Sequence, residues 1–86
     1  MATLYLRDST GVFAPEQLTN VPYDSLPENP YVARQVVAQW YAAAHKLDTD
    51  DGLATFESWL PDRVTGTTLM CVADGSGAIL TAYLRP

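Results

Sequence analysis

Apolar and polar side chains alternate over residues 2–7, with Leu4 and Leu6 on one side and Thr3, Tyr5 and Arg7 on the other. A period of two marks a half-buried strand. Asp8-Ser9-Thr10-Gly11 then reads as a turn, because Asp and Ser bond back to the backbone and Gly accepts positive φ. Val12-Phe13-Ala14 is expected to return as a short second strand.

From Asn29 to Leu47 the period becomes helical. Asn29 suits the cap and Pro30 the first helical position, where its missing N–H costs nothing. Val32, Val36, Trp40, Ala43 and Leu47 recur at helical spacing, and Ala33, Val37, Tyr41 and Ala44 widen the stripe. Arg34, Gln35, Gln39, His45 and Lys46 gather opposite. Trp40 lies mid-stripe and is expected to be buried against the sheet.

Between these two segments stand Pro15, Pro22, Pro27 and Pro30. Each removes a donor and restricts its predecessor, so residues 15–30 are expected to be irregular apart from one turn near Glu16 to Thr19. Leu18, Val21, Tyr23 and Leu26 would pin that loop to the sheet or helix.

Asp48-Thr49-Asp50-Asp51-Gly52 suits the start of a second helix, since acidic groups favour the N-terminal end of the dipole. Leu53, Phe56 and Leu60 would share its apolar face, Trp59 would sit beside them, and Pro61 would stop it. Residues 62–66 read as a loop. Thr67 to Ala73 is apolar on both faces, which predicts a central strand. Asp74-Gly75-Ser76-Gly77 is a hairpin turn, and Ala78 to Leu84 is the last strand. The order β-β-α-α-β-β predicts an α+β fold: one two-layer domain over residues 1–86, with an antiparallel four-stranded sheet and an αα-hairpin packed on one face.

Composition narrows function without naming it. The 86 residues are 48% hydrophobic and include two Trp, five Tyr and two Phe, enough apolar area for a small core. Ten acidic residues against five basic ones leave a net charge of −5 and a pI near 4.4. That balance argues against direct nucleic-acid binding and against an anionic membrane, and it permits a protein partner with a basic surface. One cysteine excludes an internal disulfide and a cysteine-based zinc site. No apolar run reaches the ~20 residues of a membrane span, and the first residues lack a charged start and apolar core. The expected location is cytoplasmic.

Few residues suggest chemistry. A nucleophile needs a base in reach, yet Cys71 falls within the central strand and His45 near a helix end, where it serves the dipole. Asp48, Asp50 and Asp51 lack the spacing and closing Glu of a calcium loop, since position 59 is Trp59. No phosphate loop or nucleophile elbow occurs, and the glycines at 75 and 77 precede a strand rather than a helix. No catalytic residue, metal or cofactor is expected.

Two surfaces remain as candidates for a partner. One is the acidic group Asp48, Asp50, Asp51 and Glu57, or in its place the proline-rich loop of residues 15–30. The other is the sheet face left open by the helices, where Tyr5 and Tyr83 have polar neighbours and Tyr23 and Tyr31 would extend the aromatic surface. The favoured expectation is a small acidic, non-catalytic protein-interaction module. By size and charge it is comparable to phage or mobile-element inhibitors of CRISPR or restriction complexes, with negative charge steering it to a basic surface. The alternatives are a small enzyme or ligand-binding domain completed by homodimerisation, and a subunit of a larger assembly.

Overall fold

The computed structural model describes residues 2–11, 15–73 and 75–85. Its elements are β1 (Ala2–Asp8), β2 (Glu16–Val21), α1 (Pro30–His45), α2 (Thr49–Thr55), β3 (Trp59–Thr65), β4 (Thr68–Ala73) and β5 (Ile79–Arg85). The strands form one antiparallel five-stranded sheet in the order β2-β1-β5-β4-β3. The chain is therefore α+β, with its first and last strands side by side inside the sheet. One face is sealed: Leu4 and Leu6 of β1, Leu69 and Cys71 of β4, and Leu80, Ala82 and Leu84 of β5 are buried with Ala33, Val37 and Ala38 of α1. Helix α1 reaches β2, β3 and β4, while α2 packs chiefly on α1.

The sheet has five strands rather than the four expected, and the difference lies at its two edges. The anticipated second strand at Val12-Phe13-Ala14 lies outside the described residues. Its place beside β1 is taken by β2, inside the segment expected to be irregular. Pro15 and Pro22 flank β2 rather than interrupt it. Ala2 pairs with Val21 and Leu4 with Leu18, so β2 spends one residue more than β1 over that interval. The surplus is absorbed near Asn20, whose φ of 62° is left-handed. This bulge puts both Leu18 and Val21 on the core face, an i, i+3 spacing that hides the strand from a search for alternation.

At the other edge the second helix stops at Thr55, and the expected loop at 62–66 belongs mostly to β3. Pro61, read as a helix stop, pairs with Cys71 inside a strand. An edge strand tolerates the missing N–H, and the register shift between Pro61 and Arg63 marks a bulge there. Trp59 is consequently buried on the core face, while Leu60 is 46% exposed on the other.

Helix α1 begins as its sequence implies. The Asn29 side chain accepts from the Tyr31 amide at 2.9 Å and the Val32 amide at 3.3 Å, with Pro30 in the first position. It ends on Lys46, a left-handed cap with φ 57°, and the Leu47 amide returns to the Ala42 carbonyl at 2.9 Å. The buried face is turned from the expected stripe. Ala33, Val37, Ala38 and Ala42 are buried, whereas Val32 and Leu47 are exposed. Small side chains face inward because α2 comes very close: Gly52 of α2 lies directly against Ala38 and Ala42. Trp40, expected mid-core, is half-buried at the rim, beside Leu18, Val21 and Pro22.

Cys71 is fully buried on β4, which lies between β5 and β3 as an interior strand. Burial pushes its thiol up to about 11, a rise partly offset by Arg34 and reinforced by Asp62. The raised value means that the folded state holds the thiol proton more tightly than the unfolded chain does. The sign follows from linkage. The thiol's contribution to stability is complete below its ordinary 9.0 and is lost as pH rises from there toward about 11. A disulfide-exchange reagent at pH 8 should therefore label Cys71 at the rate of unfolding, with stoichiometric labelling on adding urea. Fast labelling of the native chain would contradict this placement.

Candidate functional site

The expected site residues fall on three separate surfaces. The first lies between the helices. Asp48 caps α2, its Oδ1 accepting from the Asp51 amide at 3.1 Å. Asp50 and Asp51 occupy the first turn and are exposed, as is Glu57 beyond the helix end. Asp50 and Glu57 line one open groove of about 360 Å³, together with Arg34, Gln35, Ala38, Leu53 and Ala54. Two carboxylates, one guanidinium and three apolar side chains therefore share its lining. Arg34 is already engaged: its Nη1 donates to the Trp59 carbonyl at 2.9 Å, and its guanidinium lies 5.4 Å from the Tyr31 ring centroid. Asp48 and Asp51 do not line this groove. Asp48 is thus chiefly a cap, while Asp50 and Glu57 are the carboxylates a partner in the groove would meet.

The second surface is the uncovered face of the sheet. Tyr5 and Tyr83 stack across β1 and β5, with ring centroids 5.0 Å apart and planes 14° from parallel. Such a cross-strand pair stabilises the sheet while presenting its ring edges to solvent. Tyr23 does not extend this surface. It is 59% exposed, and its ring lies 6.0 Å from that of Trp40 on α1, in the helical layer. Tyr31 also sits on α1. The aromatic expectation therefore divides: Tyr5 and Tyr83 form one face, and Tyr23 with Trp40 forms a third surface over the proline-rich segment.

No known protein family, curated protein or solved structure matches the chain.

Asp8 Oδ1 accepts from the Thr10 amide at 2.7 Å and its hydroxyl at 2.8 Å, and also from the Gly11 amide, closing the turn after β1. Glu16 of β2 meets the His45 ring at the end of α1, with the Tyr41 ring 4.2 Å away. Burial raises the Tyr41 hydroxyl above its ordinary range, and Glu16 adds to the rise. Cys71 and His45 are not brought together: one is inside the sheet and the other is exposed, bonded to Glu16. Among the described residues no three His, Cys, Asp or Glu side chains form a group that could hold a metal ion. No helix among them is long and apolar enough to cross a membrane.

Proposed function

We propose that this chain is a non-catalytic protein-interaction module that engages a basic partner through the groove between α1 and α2. The observation that carries the reading is that Asp50 and Glu57 line one groove with Ala38, Leu53 and Ala54. An arginine or lysine side chain suits such a site: its alkyl stem lies on apolar surface while its head meets a carboxylate. The net charge of −5 adds long-range attraction. The narrower form of the proposal is an inhibitor, of the kind phages and mobile elements use, that covers a basic nucleic-acid-binding surface; size and charge support it.

Both sheet edges carry bulges, and prolines stand in or beside the edge strands. These features disfavour strand addition between copies, so edge pairing is the weaker route to a partner.

The test is the binding of a short arginine-rich peptide, measured at low and moderate salt. Because Asp48 supplies the cap, replacing Asp50 and Asp51 with Asn removes charge without removing the cap. The stability cost should be about 0.3–1 kcal/mol for each lost dipole contact. Peptide association should slow and its salt dependence flatten. An unchanged rate and salt slope in a stable variant would take the groove out of the interface.

A further inference from the structure

Arginines gather on the sheet's open face. Strand register places Arg7 beside Thr81, Thr81 beside Met70, and Met70 beside Arg63, one row across four strands. Toward one end of the sheet the next row is Ile79, Val72 and Leu60, in which Ile79 is 40% exposed. Toward the other end is the tyrosine pair, followed by Arg85 on β5. Arg7, Arg63 and Arg85 are three of the chain's five basic residues, and all three are exposed. Arg63 Nη2 rests 3.5 Å from the Met70 sulfur, and none of the three arginines has an ion-pair partner among the described residues. Asp8 belongs to the core-facing register, and Glu16 is turned to His45. Asp62 is the extra residue at the edge bulge, and Asp8 and Glu16 each share a surface depression with Arg7.

We infer that the open sheet face is a second docking surface, one that takes an acidic peptide segment carrying an apolar residue between two carboxylates. The inference goes beyond the groove and does not depend on it. Three strand spacings separate Arg7 from Arg63, roughly 14 Å at about 4.8 Å each. In an extended peptide, side chains four positions apart share a side and lie about 14 Å apart, with the middle one between them. A Glu-x-Leu-x-Glu segment thus sets its carboxylates on Arg7 and Arg63 and its leucine on Met70. Guanidinium groups suit that contact through paired N–H donors. A two-fold pairing of this face with itself would bring like charges together, so a second copy docked face to face is disfavoured. A nucleic-acid strand fits less well. The net charge of −5 opposes a strand with one charge per nucleotide far more than a segment with two carboxylates, and each tyrosine has one ring face occupied by the other.

The experiment titrates a blocked Glu-Thr-Leu-Thr-Glu peptide into isotope-labelled protein and follows backbone amide shifts. The expected shifts centre on Arg7, Thr81, Met70 and Arg63, with affinity falling roughly tenfold in Arg7→Gln/Arg63→Gln. The Asp50→Asn/Asp51→Asn protein should bind the peptide at least as well as the parent. These exposed arginines can be replaced without unfolding the sheet, which a melting curve verifies. Shifts away from this face, or no shift at millimolar peptide, would overturn the inference, as would an affinity indifferent to the arginines. Tighter binding of an oligouridylate at the same residues would reassign the face to nucleic acid. Concentration-dependent mass abolished by the arginine substitutions would reassign it to a second copy.

Discussion

Replacing Phe56 by alanine should cost about 3–5 kcal/mol, the range for removing a fully buried aromatic ring. Phe56 is 1% exposed and is the largest fully buried side chain among the described residues. It lies just past α2, where the chain turns toward β3, and its ring meets Tyr41 of α1 edge-on at 5.4 Å. The Tyr41 ring lies 4.2 Å from that of His45, and Phe56 belongs to the same buried cluster as Val37 and Trp59. Alanine at 56 would leave a cavity in a close-packed interior that relaxes only in part. A chain of this size is held by only about 4–13 kcal/mol, so the loss threatens the fold. Urea unfolding measures it directly. A loss below about 1 kcal/mol would mean that the site repacks around the missing ring.

The second large effect is expected at Gly52, and there the sign is informative. On helix propensity alone, Gly52→Ala should stabilise by up to about 1 kcal/mol. A β-carbon at this position would stand 2.5 Å from Ala42 Cβ and 2.8 Å from the Ala38 carbonyl oxygen. Both neighbours belong to α1, and neither is the end of a flexible side chain, so the helices must separate. Overpacking of this kind costs about 1–3 kcal/mol, which outweighs the propensity gain. The same movement would alter the groove, which Ala38, Leu53 and Ala54 help to line. The variant should therefore melt at a lower temperature and bind the arginine-rich peptide more weakly. A higher melting temperature would show that the two helices are not locked together here.

The contrast between expected and observed structure follows from which residues carry unambiguous local signals. Asn29-Pro30 marked the start of α1 because capping and proline preference act within one turn. The alternation of β1 and the doubly apolar run of β4 were legible because each reflects the burial of a single strand. Both edge strands escaped because bulges break the period that reveals strands, at Asn20 in one and at Pro61 to Arg63 in the other. Leu60 fits a helical apolar stripe and an exposed strand position equally well, and only the sheet decides between them. Gly52 carried the least legible information. Its closeness to α1 depends on a partner helix, although glycine between Asp51 and Leu53 in a helical segment hints at close approach. Asp50 and Glu57 were named from charge alone, yet their shared groove arises from the way α2 packs on α1. The arginine row was invisible for a similar reason: Arg7, Arg63 and the strands between them become neighbours only through register.

The most direct test of the interaction reading is an amide-shift map of the protein titrated with the arginine-rich peptide. The groove predicts a compact set of perturbed residues, running from Arg34 to Ala38 on α1 and from Asp50 to Glu57 on and after α2, with β1 and β5 unchanged. Shifts scattered over every exposed carboxylate, Asp24 and Glu28 included, or centred on the sheet face, would contradict it.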